Sequence, residues 1–171
     1  MVKAADKMLS DMENRISAIA LVHENLFLSG DLTEIRLVEH LRILAQGILT
    51  TEIGGVYISF TVEGNDTLVM DLDRAVLVSI VANEILMNVQ KHAFVSQELG
   101  NVTIKVMKET DKNQLKIEIK DDGIGLPEGI EPEKTESVGL SLIINIVKLQ
   151  LHGTITVSRE GGTGYQITIP N

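Results

Sequence analysis

In the first thirty positions a seam recurs at alternating spacings of three and four, through Val2, Ala5, Leu9, Met12, Ile16, Ile19, His23 and Leu26. That heptad run predicts a helix packing lengthwise on another helix. Gly30 is placed to end it, and Asp31 with Glu34 three residues on predicts a capping box for a second helix. The second helix carries Leu37, Leu41, Leu44 and Ile48 on one face. The expectation is an antiparallel helical hairpin over residues 1–52 whose own apolar stripe stays uncovered. A second copy would cover it, giving a homodimer through a four-helix bundle.

After Gly54-Gly55 the period falls to two. Val56, Ile58, Phe60 and Val62 alternate with polar residues, as do Val102, Ile104 and Val106, then Leu115, Ile117 and Ile119. Ile155 and Val157, and finally Tyr165, Ile167 and Ile169, continue the pattern. These are strands with one buried and one wet face, and Thr110–Asn113 reads as a hairpin turn between two of them. Two helices interrupt them, one over Leu72 to Phe94 and one from Val138 to Gly153. One-sided strands with helices predict a two-layer α/β sandwich over residues 53–171. The longest irregular stretch, Asp121–Ser137, holds two of the three prolines.

Composition narrows the function. Of 171 residues 44 % are hydrophobic but only 3 % aromatic, with no Trp, so the core is aliphatic. The absence of cysteine excludes disulfides, thiolate metal sites and cysteine catalysis. A formal charge of −9 is the wrong sign for a nucleic-acid partner. No apolar run reaches the roughly 18 residues of a membrane span and no signal-peptide core is present, so a cytoplasmic protein is expected.

Four short segments carry candidate chemistry. The helix from Leu72 is apolar nearly all round in its first half, then presents Glu84, Asn88, Lys91 and His92 within roughly 100° of one face. Those types offer a carboxylate for a nucleophile, an amide oxygen for a metal and a cation for phosphate. Asp121 to Pro127 (DDGIGLP) follows a strand, where a carboxylate can accept from an amino group and bare glycine lets a flat ring approach. Ser137-Val138-Gly139-Leu140 opens a helix whose first amides suit phosphate. Gly161-Gly162-Thr163-Gly164 starts the last strand. Neither a P-loop nor a dinucleotide fingerprint occurs, since Glu128 and Pro127 spoil the run after Gly123-Ile124-Gly125.

In this order the four segments resemble the N-, G1- and G2-type boxes of the GHKL ATPase superfamily, with NEILMNVQKHAF, DDGIGLP, SVGLSLIINIVKLQLHGTITV and the closing GTGYQITIP. The first fifty residues, with RISAIALVHENLF and LRILAQGIL, are similar to the later part of the dimerisation region in one sensor-histidine-kinase subfamily. The resemblance implies a Bergerat-type fold with a mixed, mostly antiparallel sheet, ATP and Mg²⁺ as ligands, and transfer of the γ-phosphate to a protein histidine. It implies that Asp121 accepts from the adenine amino group with Thr163 beside it, and that Gly123 and Gly125 shape the base pocket. Asn88 would ligate Mg²⁺, Glu84 would orient or deprotonate the nucleophile, and Lys91 and His92 would meet phosphate. Glu128–Ser137 would be a lid ending at Gly139 and Leu140, near the phosphates. A response regulator is the implied protein partner.

The sequence departs from that pattern in three places. The lid is acidic, with Glu128, Glu131, Glu133 and Glu136 against Lys134, and Val138 stands where Leu is usual. No His-Arg-x-Lys-Asn-Asn-type acceptor run precedes Arg15, so this chain by itself is expected to bind ATP without phosphorylating itself. His23 falls on the heptad seam, His40 at the edge of the second helix's apolar face on a seam or surface position, and His152 at a helix end, where its charge is favourable. A GHKL-type serine kinase or anti-sigma switch would lack the heptad hairpin, and a non-catalytic scaffold would have no need of Asn88 or Asp121.

Overall fold

The computed structural model describes residues 12–13, 16–20, 33–49, 56–95, 97–126 and 138–171. The period-two segments form strands β2 (Tyr57–Glu63), β4 (Leu99–Glu109), β5 (Gln114–Asp121), β6 (Thr154–Ser158) and β7 (Gly164–Pro170). They make one sheet in the order β2-β4-β5-β7-β6, parallel between β2 and β4 and antiparallel elsewhere. The parallel pair needs a crossover. It is supplied by α2 (Leu72–Asn88), which lies on the sheet beside α1 (Leu37–Leu49) and α3 (Val138–Asn145). The β4–β5 turn is the expected one, with Asn113 in the left-handed region at φ +49° and its amide bonded to Thr110 O.

Helices cover one face of the sheet and water the other. Ile104, Ile117, Ile119, Ile167 and Ile169 point into the helix layer, where Leu41, Ile85, Leu86 and Ile143 meet them in one aliphatic core. On the wet face most alternate residues are polar, including the Lys105–Glu63 ion pair at 3.3 Å between β4 and β2, while Tyr57, Leu99 and Met107 are exposed apolar positions there.

Two short strands depart from the expected pattern. β1 (Glu34–Arg36) pairs antiparallel with β3 (Val69–Asp71), and Leu37 N donates to Leu68 O while Leu72 N donates to Thr33 O. Glu34 is therefore extended, and the helix begins at Leu37 rather than behind an Asp31–Glu34 capping box. α2 does have a capped start, with the Asp71 carboxylate accepting from Arg74 N at 3.0 Å.

The stripe of α1 is buried against α2 and β2. Leu37, Leu41 and Leu44 belong to the same core as the sheet. His40 is likewise buried rather than at a surface position. Its Nε2 lies 2.6 Å from Ser79 Oγ on α2, and Ser79 itself donates to Ala75 O. The serine proton is thus committed, so His40 Nε2 is the donor of this pair. Burial pulls its pKa down to about 4.

Of the first helix, positions 12–13 and 16–20 are described and helical. The seam residues Met12 and Ile16 are 52 % and 62 % exposed, whereas Ala18, off the seam, is buried in the common core. The expected pairing of this helix with a second, and the place of His23, lie outside the described residues. No described helix is long and apolar enough to cross a membrane.

Candidate functional site

The alternation that buries Leu115, Ile117 and Ile119 carries the last residue of β5, Asp121, to the helix side of the sheet, 2 % exposed. A buried carboxylate requires partners. Asp121 Oδ1 accepts from Gly123 N at 2.9 Å and Thr163 N at 3.0 Å, while the Asp121 amide donates to Thr163 O. β7 thus begins by locking onto the end of β5.

Two glycines make the approach possible. Gly162 has φ +112°, and a Cβ there would stand 2.0 Å from Asp121 O. A Cβ on Gly123 would stand 2.2 Å from Ala93 O, at the end of the α2 segment, and the next amide, Ile124 N, donates to that same carbonyl at 2.8 Å. Gly125, at φ +76°, turns the loop back past Gly162.

The neighbouring aspartates divide the work. Asp122 is exposed and accepts from Asn101 N and Asn101 Nδ2, each at 2.7 Å, while Asn101 Oδ1 accepts from Ser59 Oγ. It staples the loop to β4 and β2. Tyr165 packs on the same face as Asp121. Burial first, and the Asp121 charge second, push its pKa up to about 12, so it stays a neutral phenol.

The second half of the site is built on α2. Glu84 and Asn88 are half-buried one turn apart, and a Cβ on Gly139 would lie 2.9 Å from Glu84 Oε2. The N-terminus of α3, anchored by buried Leu140, therefore faces the Glu84 carboxylate. After Asn88 the helix does not continue as α. Val89–Ala93 form a π turn, with Lys91 and His92 exposed on it. Each π residue advances by less than the 100° of an α-helix. The lag moves His92 toward the Glu84–Asn88 line and Lys91 away from it, which revises the arc expected from regular periodicity.

The structure thus brings Asp121, Thr163, Gly123 and Gly125 together at one end and Glu84 with Gly139 and Leu140 at the other. Asn88, Lys91 and His92 lie on the helix whose last residue touches Gly123. The lid expected over Glu128–Ser137 lies outside the described residues. Sequence reasoning missed the close approach of Gly162 to Asp121; the Gly161-Gly162 pair signalled a turn, and nothing local shows what a turn packs against. It also missed Asn101, which lies outside the motifs, and Gln90, which lies inside NEILMNVQKHAF but drew no role there.

Hard oxygen donors at Glu84 and Asn88 suit a small divalent cation. Among the described residues, no group of three or more His, Cys, Asp or Glu side chains could hold a metal unaided. That donor set fits an ion arriving with substrate phosphates rather than a resident metal.

A mixed sheet with helices on one face, a buried carboxylate in a glycine slot and an oxygen-bearing helix beside it define an α/β sandwich with a candidate ligand site at the end of β5. The chain matches the family model for "Histidine kinase-, DNA gyrase B-, and HSP90-like ATPase" over residues 73–171, and it belongs to that family. Residues 2–52 match a second model, described as "Histidine kinase". The sensor histidine kinase PdtaS of Mycobacterium tuberculosis is 33 % identical over 95 % of this chain and 32 % of its own length. PdtaS of Mycolicibacterium smegmatis is 32 % identical over 97 % and 33 %. The chain therefore spans about a third of the length of these relatives. The histidine kinase domain of the Erythrobacter litoralis EL346 blue-light-activated kinase shares the fold, with a TM-score of 0.78 at 24 % identity, covering 94 % of this chain and 74 % of that one.

Proposed function

We propose that this chain is the ATP-binding catalytic part of a two-component sensor histidine kinase, acting in the cytoplasm on a protein histidine and, through it, a response regulator. The observation that carries the reading is Asp121: a buried carboxylate preorganised by two backbone amides, in a slot that glycine alone keeps open. Such an acceptor suits the adenine amino group, with Thr163 and Gly125 at the rim. Asn88, with Glu84 near it, would hold Mg²⁺, which when bound neutralises phosphate charge. Lys91 and His92 would meet the phosphates, and the α3 N-terminus at Gly139 and Leu140 would receive them. Glu84 would take the proton as the imidazole nitrogen bonds to the γ-phosphorus and the bond to the β-phosphate oxygen breaks, releasing ADP.

Exposed Met12 and Ile16 support a homodimer through the first helix. Because α1 shares the core of the sheet, we place the start of the catalytic domain near Thr33 rather than at residue 53. Calorimetry with Mg²⁺-ATP tests the reading; a folded chain that binds no adenine nucleotide sinks it. Incubation with γ-labelled ATP tests the second part. We expect no acid-labile phosphate on this chain, and label that disappears in His23→Gln would make His23 the acceptor.

A further inference from the structure

The π turn that ends α2 is held on two sides, and one hold comes from a side chain to which the sequence pattern assigns no role. Gln90 Nε2 donates to Ile48 O at 2.5 Å, in the last turn of α1, where helix carbonyls lack partners of their own. Ala93 O, at the other end of the turn, accepts from Ile124 N. His40 meets Ser79 and Ile48 meets Gln90, so α1 and α2 run parallel, and Asn83 and Leu86 follow at helical spacing on the same stripe of α2 between those two contacts. Midway along that stripe Asn83 is 2 % exposed, and its Nδ2 has no partner. That amide therefore donates nothing to α1 between the Ser79 and Gln90 contacts.

We propose that Gln90 is a positioning residue, pinning the π turn to α1 and thereby setting the rotation of Lys91 and His92 about the helix axis. The turn has two ways to wind. As a π turn it brings His92 onto the Glu84–Asn88 line; rewound as α it returns Lys91 there and swings His92 off. Holding Gln90 against Ile48 from the opposite side of the helix selects the first. The inference rests on reading this end of the site as the phosphate end, and it assigns the alignment of that end to a contact with α1.

The test uses the full chain with Gln90→Met, equal in length without a donor, and Gln90→Asn, which keeps the donor but is one carbon short of Ile48 O. Affinities for adenosine and for a non-hydrolysable ATP analogue with Mg²⁺ are measured by calorimetry. Both variants should lower the ratio of triphosphate to adenosine affinity by about ten-fold, the scale of one charged hydrogen bond. Adenosine affinity itself should stay within about two-fold, because the Asp121 slot is untouched. Equal losses for the two ligands would make Gln90 merely structural, and an unchanged ratio would remove it from the site; either overturns the proposal. If Gln90→Met fails to fold, Gln90→Asn decides alone. Unsubstituted protein that binds no nucleotide overturns the functional reading and this inference with it, whereas binding with an unchanged ratio overturns the inference alone.

Discussion

Around Asp121 the candidate site is made of backbone: two amides fix the carboxylate, and two glycines leave the room beside it. Around Glu84 and Asn88 it is made of side chains on one helix, half-buried to exposed, facing a helix N-terminus. The first region is complete before any ligand arrives. The second is a set of oxygen- and nitrogen-bearing side chains, Glu84, Asn88, Lys91 and His92, that reach toward solvent. On the proposed reading, recognition of the base would be a matter of shape and one preset acceptor, which costs little reorganisation on binding. On the same reading, phosphate would be handled by side chains that lie half-buried to exposed on one helix and its π turn.

If the backbone end is rigid in this sense, adding one methyl group should break it. In Gly162→Ala the new Cβ has nowhere to go, since Asp121 O lies 2.0 Å from its position and φ is +112°. We expect a loss of about 3 kcal/mol of stability, the upper range for strain at such a backbone position, with loss of nucleotide binding. Urea denaturation measures it; a stable, binding-competent variant would show that the slot yields.

The comparison can be sharpened by a perturbation that spares both halves. His40 lies under α1, and its folded pKa of about 4 is below the unfolded value of 6.5. Its neutral form therefore contributes stability that is complete above pH 6.5 and drains as pH falls toward 4, because only the unfolded chain takes up the proton. The contribution is on the order of 3 kcal/mol. Denaturation of His40→Gln between about pH 4 and pH 7 should show a flatter pH dependence than the unsubstituted chain. A slope equal to the original would assign acid lability elsewhere.

A smaller effect should separate acceptor from scaffold at Asp121. In Asp121→Asn one oxygen can still receive Gly123 N and Thr163 N, while the other position becomes a donor that, on the proposed reading, would face the adenine amino group. ATP affinity should fall roughly 10- to 100-fold, the cost of about 1–3 kcal/mol for an unpaired buried group, with little change in melting. Unchanged affinity in the folded variant would remove Asp121 from the site.

The two halves also differ in how far the sequence announces them. The five long strands and α2 show in periodicity, because a sustained alternation of apolar and polar residues is what a half-buried strand requires and a helix cannot use. β1 and β3 are three residues each, too short for a period, so Glu34 reads locally as part of a cap. The stripe of α1 tells which face is buried but not against what, and α2 and β2, which it packs on, lie further along the chain. At the site, Asp121 and Thr163 are legible as types in order, whereas the 2.0 Å approach of Gly162 is tertiary and leaves no local trace. The π turn is hidden for another reason. Helical faces are reckoned at about 100° per residue, and Lys91 and His92 lie where the winding departs from that value.

The smallest expected effect probes the side-chain end on its own terms. Asn88 is half-buried one turn from Glu84, where its amide oxygen could reach triphosphate through an ion. Acting through Mg²⁺, it should matter where the ion matters and nowhere else. Asn88→Ala should leave adenosine affinity within about two-fold and lower Mg²⁺-ATP affinity about five- to ten-fold, the scale of one charge-assisted contact. The gain in ATP affinity on adding Mg²⁺ should shrink by the same factor. Titrations of adenosine, of ATP with chelator and of ATP with Mg²⁺ supply all three numbers. Equal losses for adenosine and Mg²⁺-ATP would mean that Asn88 shapes the end of α2 rather than holding the ion. The proposed distinction between a backbone-built base end and a side-chain-built phosphate end would then fail at the residue on which it most depends.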